Sequence, residues 1–236
     1  MKYITLPFSG VRRLSFYLAM EEFVARRLDE PDCFFMWQVA PSVIFGRNQI
    51  VENEVNLDYC REHAISVYRR KSGGGCVYAD MDNVMLSFIT SEEKVGFAFN
   101  RFVGMVLLVL RKMGIEATGT THNDVMIGDR KVCGTACYHL EGRSIVHSTL
   151  LYDTNMDHML HAITPGPEKL EKKGIQSVRQ RITLLKDHFP LSQEMLKAGI
   201  RATLCKGEHL LTADDVASIE QLEQTYLDKD FINLYK

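Results

Sequence analysis

The sequence contains no apolar run long enough to cross a membrane. Its most hydrophobic stretch, Phe102 to Leu110, reads FVGMVLLVL and is closed off by Arg101 and Arg111, well short of the roughly 20 residues that a spanning helix needs. The opening MKYITLPFSGVRRL has no apolar core behind its one early lysine, so a secretory leader is not expected. An excess of charge of one sign is also missing. With 28 Lys+Arg against 30 Asp+Glu the formal net charge is -2, which provides no field to draw the chain to nucleic acid or anionic lipid. Neither is therefore an expected partner. Six cysteines are scattered without a dense framework, so reduced thiols in a cytoplasmic compartment are the expectation. Internal repeats, low-complexity tracts and an obvious linker are absent as well.

What remains is a chain of 236 residues with 46% hydrophobic and 25% charged residues, enough for one large domain with a real core. Val11 to Arg27 places Leu14, Leu18 and Phe23 on a broad apolar helical stripe with Arg and Glu elsewhere. Cys33–Val39 and Ser42–Gly46 read as strands joined by Ala40-Pro41, and Ile65–Arg70 as another. Ser72-Gly73-Gly74-Gly75 is too permissive for a strand interior and reads as a loop. Strands over Cys76–Tyr78 and Val84–Thr90 precede a buried helix from Lys94 to Met113 that ends at Gly114. Asn123–Ile127 and Arg130–Cys137 form a hairpin across Gly128-Asp129, and Ser144–Tyr152 adds a strand. Helical patterns dominate from Asn155 onward, clearest over Ser192–Leu204 and Ala213–Leu227. Strand runs with helices before, between and after, without steady alternation, predict an α+β fold of mostly antiparallel mixed sheets flanked by helices.

The chemistry-bearing residues gather at three places. In Arg69 to Asn83, RRKSGGGCVYADMDN, three glycines after a strand expose backbone N–H groups that suit phosphate or carboxylate oxygens. A packing turn is the plainer reading of such a triplet, and the spacing matches neither a P-loop nor a dinucleotide fingerprint. Arg69 and Arg70 favour an anion, although strand alternation turns only one of them to the site. Asp124 and Lys131 sit on opposite arms of the predicted hairpin. A cross-strand pair and a shared Mg-phosphate site are both open there. His147 lies in an apolar strand, where a hydrogen-bonded core histidine is the plainer reading. Cys133, Cys137 and His139 lack a second ligand pair for zinc. Cys76 or Cys137 would be nucleophilic only with a base that lowers the thiol pKa. Pro167–Gly174 reads as a solvated helix end, and Arg179 and Arg181 face either ligand or solvent.

Taken in order, five segments resemble the lipoate-protein ligases of the biotin/lipoate protein ligase and transferase superfamily. They are Ala19–Glu22 with Pro41–Gln49 and Glu54–Asn56; Arg69–Tyr78 with Asp80 and Asn83; Asn123-Asp124 with Gly128–Ala136; His147–Leu151; and Lys173–Arg181. The similarity runs from about residue 10 to about residue 190. It implies a single catalytic domain over residues 1–236 without the accessory domain of larger members. It also implies a two-step reaction: lipoate or octanoate and ATP give an acyl-adenylate, then a lysine of a lipoyl carrier domain takes the acyl group.

By the same resemblance Lys131 is the catalytic cation, and Arg70, Gly75, Cys76, Val77 and Tyr78 line the adenylate site. Lys131, Gly74 and His147 meet lipoate, and Asn83, Asn123 and Asp124 serve Mg²⁺ or structure. The implied partners are lipoyl domains of 2-oxoacid dehydrogenase complexes, the glycine cleavage H protein and a separate accessory-domain protein. A cysteine-thioester transferase is disfavoured because Glu116–His122, EATGTTH, has no cysteine. A biotin ligase would carry a different glycine loop. A transferase fed with preformed adenylate and a noncatalytic lipoyl-binding module remain as alternatives.

Overall fold

Asn83–Thr90 is buried at all eight positions because it runs through the middle of the larger of two sheets. The computed structural model describes residues 1–164, 181–190 and 192–234. In chain order these form β1 (Lys2–Thr5), α1 (Leu14–Arg27), β2 (Asp32–Trp37), β3 (Ser42–Phe45), α2 (Val51–Glu54), α3 (Leu57–Glu62), β4 (Ser66–Arg69), β5 (Val77–Ala79) and β6 (Asn83–Thr90). Then follow α4 (Val95–Lys112), β7 (Thr118–Gly119), β8 (Val125–Ile127), β9 (Arg130–Leu140), β10 (Arg143–Leu151), α5 (Met156–Ala162) and a 3₁₀ turn at Leu185–Asp187. The chain closes with α6 (Gln193–Leu204), β11 (Glu208–Leu210), α7 (Ala213–Leu227) and α8 (Lys229–Ile232).

The larger sheet has the order β11-β1-β2-β6-β10-β9-β8-β7. β1 is parallel to both its neighbours, β11 and β2, and every other pairing is antiparallel. The smaller sheet is β4-β3-β5, with β3 parallel to β4 and antiparallel to β5. The expected mixed, mostly antiparallel α+β architecture is therefore present. β2 and β3 do not pair with each other: Ala40-Pro41 carries the chain from one sheet to the other. β1 and β11 were not expected from the sequence.

The larger sheet is covered on both faces. On one, Leu18 and Val24 of α1 pack on Phe35, Trp37, Met85 and Ile145, with Ile219 and Tyr226 of α7 behind. On the other, Phe102, Val106 and Leu110 of α4 pack on Phe34, Leu86, Phe88 and Val146, joined by Leu196 and Ile200 of α6. The smaller sheet shares a third apolar cluster with α2, α3 and α5 through Val43, Phe45, Val51, Cys60 and Met159. Ser192 is the N-cap of α6, its hydroxyl accepting from the Met195 amide, and Thr212 with Asp215 forms a capping box on α7.

The expectation that the α1 glutamates lie off its apolar stripe fails, because Glu21 and Glu22 are both buried. Helix α1 lies between the sheet and α7, so almost its entire circumference is covered.

Candidate active site

A cavity of about 120 Å³ opens between the α1 face of the larger sheet and the loop that leaves the smaller one. Leu18, Trp37, Ile44, Val77 and Met85 make its apolar wall, while Lys131, Thr135, His147 and Thr149 supply polar groups and Gly74, Gly75 and Cys76 form the loop side. The register explains the convergence. On β10 His147 and Thr149 point to the same face, and they stand opposite Ala136 and Gly134 of β9. Small residues at both positions leave room on that face.

The loop is braced from within by Arg70. Its Nε donates to Ser72 Oγ (3.0 Å), Nη1 to the Ile44 carbonyl (3.2 Å), and Nη2 to the carbonyls of Gly73 and Gly75 (2.7 Å each). Burial lowers its pKa to about 10, which still leaves it charged at neutral pH. Arg69 points the other way. It bonds the carbonyls of Arg47 (2.6 Å) and Gln49 (3.0 Å) and stacks over Phe45. Only Arg70 of the two lines the cavity, as strand alternation requires. Gly74 has φ +92, and its carbonyl oxygen lies 2.3 Å from where a Cβ on Gly46 would sit. The loop thus folds against β3 at a distance that only glycine at position 46 allows.

Lys131 is the second residue of β9, beside the predicted turn. Its Nζ pairs with Asp124 Oδ1 at 2.8 Å, so the cross-strand partnership is real. A Cβ on Gly134 would lie 2.7 Å from that ammonium, so the bare backbone of Gly134 is the surface on which the lysine rests. The Lys131 carbonyl accepts from the Thr183 amide at 2.9 Å. Among the described residues that line the cavity, Lys131 supplies the one ammonium group, held by a carboxylate.

Behind the apolar wall runs a buried hydrogen-bond chain of six residues. Trp37 Nε1 donates to Ser87 Oγ (2.8 Å), and that hydroxyl donates to Glu21 Oε1 (2.6 Å). Glu21 Oε2 meets His147 Nδ1 (2.9 Å), His147 Nε2 meets Ser72 Oγ (2.7 Å), and Arg70 donates to that same hydroxyl. Proton counting orders it. With Trp37 and Arg70 as donors at the two ends, both hydroxyl protons point inward, and an ionised Glu21 with His147 protonated on Nδ1 leaves every member satisfied. The core-histidine reading of His147 therefore holds, and His147 lines the cavity as well.

The other sequence-predicted residues are placed as follows. Cys76 and Val77 line the cavity. Burial pushes the Cys76 thiol up to about 12, and that of Cys137 likewise, so neither is an activated nucleophile. Tyr78 turns its ring into the third apolar cluster. Asn83 lies outside the cavity lining, its amide donating to Tyr78 O (3.3 Å) and Thr154 Oγ1 (3.1 Å), which ties β6 to the segment before α5. Asn123 has φ +63, and its carbonyl accepts from the Thr135 hydroxyl. Among the described residues no group of three or more His, Cys, Asp or Glu side chains could hold a metal. Arg179 and the stretch 167–174 lie outside the described residues, and Arg181 is half-buried. Sequence reasoning did not single out Trp37, Ser87, Glu21 or Gly134 for the site. The available signal was two adjacent carboxylates in a helix otherwise rich in apolar residues.

A protein-family description, the lipoyl protein ligase A/B catalytic domain, matches residues 14–205. Lipoate-protein ligase LplJ of Bacillus subtilis is 34% identical over 218 residues, covering 92% of this chain and 65% of that protein. Lipoate-protein ligase 1 of Staphylococcus aureus is 36% identical over 213 residues, covering 87% and 65%. The chain thus spans just under two thirds of the length of these relatives. Among solved structures, a bi-partite lipoate protein ligase from Thermoplasma acidophilum, studied with its E2 lipoyl domain, superposes with a TM-score of 0.85 at 24% identity, covering 98% of this chain and 96% of that one. A lipoate-protein ligase A bound with ATP gives 0.81 at 21% identity, covering 98% and 97%. Both share the fold.

Proposed function

Because the chain belongs to the lipoyl protein ligase A/B catalytic-domain family, we propose that it is an ATP-dependent lipoate-protein ligase acting as one catalytic domain. Lipoate, or octanoate, and ATP are its substrates. The observation that carries this reading is the placement of Lys131, whose ammonium lines an apolar cavity walled on the other side by the glycine loop. An acyl chain fits the wall of Leu18, Trp37, Ile44, Val77 and Met85, with its carboxylate toward Lys131. The loop from Gly74 to Cys76, braced by Arg70, offers backbone N–H groups to phosphate oxygens.

In the first step a carboxylate oxygen attacks the α-phosphorus and pyrophosphate leaves. Charge accumulates between two anions, and a fixed ammonium is the group that stabilises it. Asp124, 2.8 Å from the ammonium, holds Lys131 in place. In the second step the ε-amine of an acceptor lysine attacks the acyl carbon and AMP departs. Magnesium would enter on the ATP phosphates, which supply most of its ligands, with Asp124 the carboxylate beside the reacting cation. The proposed acceptors are lipoyl domains of 2-oxoacid dehydrogenase complexes and the glycine cleavage H protein. A separate accessory-domain protein is a further proposed partner, in keeping with the word bi-partite in the Thermoplasma structure's description. Six free cysteines fit a reducing, cytoplasmic setting.

The test is mass spectrometry of the purified chain with Mg-ATP, lipoate and an apo lipoyl domain. Wild-type protein is expected to lipoylate the domain, and Lys131→Ala to lower the rate by about 10²–10³. Transfer only from synthetic lipoyl-AMP would favour the reading in which adenylation needs a partner. Full activity in Lys131→Ala would sink the proposed role of this lysine.

A further inference from the structure

The family match ends at residue 205, yet the residues after it reach the stem of the glycine loop at two points. The carbonyl of Ile232 in α8 accepts from Arg69 Nε at 3.0 Å. Glu22 Oε1 takes the Lys71 ammonium at 2.5 Å and also the hydroxyl proton of Tyr226 from α7. The Lys71 ammonium in turn lies 4.8 Å from the centroid of the Tyr226 ring. Helix α7 is itself fixed to α1, because Glu223 accepts from Ser15 at 2.6 Å and from Arg13 at 3.2 Å.

Arg69 and Lys71 are alternate residues and flank Arg70. The C-terminal helices therefore hold the two stem positions on either side of the arginine whose guanidinium braces the loop. Glu22 is buried, and burying a carboxylate is costly unless donors surround it. Its donors come from the loop stem (Lys71), from its own helix (Arg26, 3.5 Å) and from α7 (Tyr226). Burial raises the Tyr226 phenol well above its ordinary range, so it remains a donor at neutral pH.

We propose that helix α7 sets the glycine loop through Tyr226, Glu22 and Lys71, which are positioning residues for the nucleotide cradle. The cradle assignment rests on the reading above, whereas the mechanical coupling does not. Without the Tyr226 hydroxyl, Glu22 loses one of its two closest donors, and the carboxylate that takes the Lys71 ammonium is no longer held from α7. The stem then gains freedom while the apolar cores stay intact.

The experiment is hydrogen–deuterium exchange by mass spectrometry on wild-type chain, Tyr226→Phe, Lys71→Met, the double variant and Lys71→Arg. Faster exchange over residues 70–76 is expected in both single variants, with α4 unchanged. The double variant should exchange no faster than the more affected single one, because both act through one carboxylate. Lys71→Arg should restore protection. Unchanged exchange at 70–76 in both Tyr226→Phe and Lys71→Met would overturn the coupling, as would an equal rise in α4, which reports general loosening. In the same proteins the KM for ATP should rise about fivefold, the equivalent of about 1 kcal/mol, with kcat nearly constant. A wild-type chain that makes no adenylate would count against the ligase reading alone, because the exchange data still decide the coupling.

Discussion

The two faces of the larger sheet are built from the same strands and are both covered by helices, but they are chemically unlike. Under α4 the contacts are almost wholly apolar, with Phe88 and Phe102 stacked at 6.3 Å between centroids. Under α1 the same sheet carries Ser87 and His147, both buried and both bonded to the buried Glu21 of the helix. A face that serves only packing can be filled by dispersion and area burial. A face that must present polar groups to a cavity has to satisfy each of them, and the six-residue chain from Trp37 to Arg70 does so. The difference puts close apolar packing on one side of the sheet and the polar-lined cavity on the other.

Emptying the apolar face is the strongest test of that division. Phe102→Ala should cost about 3–5 kcal/mol of stability, read as a lower denaturant midpoint, while KM values per folded molecule stay unchanged. A shifted KM for lipoate would show that the faces are not separable. On the opposite face Glu21→Ala strips a partner from both Ser87 and His147 at about 1–3 kcal/mol, and it should also weaken lipoate binding in calorimetry. Gly134→Ala places a methyl where the Lys131 ammonium rests. We expect about a tenfold loss of adenylation rate, or about 1.4 kcal/mol, with the denaturant midpoint nearly constant.

The smallest effect belongs to Asp32, which ties β2 to α4 at the rim. Burial alone would raise its carboxyl, but hydrogen bonds from Arg101 and Thr90 outweigh this and hold it below the usual 3.8. A lowered folded pKa stabilises above the unfolded value and loses that contribution as pH falls through the folded one. Asp32→Asn should therefore remove a few tenths to about 1 kcal/mol at neutral pH. The acid limb of its stability curve below about pH 4 should flatten.

The sequence made the local features legible. The β8–β9 hairpin, the glycine loop, the long apolar helix α4 and Lys131 beside its turn all follow from short-range rules, and they stand where those rules placed them. The polar interior did not follow. Periodicity assigns Glu21 and Glu22 to a solvent face, and only the covering of α1 by α7 reverses that. Their partners Ser87, His147 and Tyr226 lie 66, 126 and 204 residues away. Strands β1 and β11, at one end of the larger sheet and four and three residues long, carry too few positions for an alternation to register.

The crossing at Ala40-Pro41 puts the glycine loop on one sheet and Lys131 on the other, so the loop and the ammonium meet across a seam instead of within a single framework. Inheritance can work on the two sides at different rates. Substitutions at Trp37 or Met85, which the larger sheet contributes to the apolar wall, need not disturb the strands that carry the glycine loop. On the proposed reading, a lineage could change the length of acyl chain it accepts while leaving its use of ATP untouched.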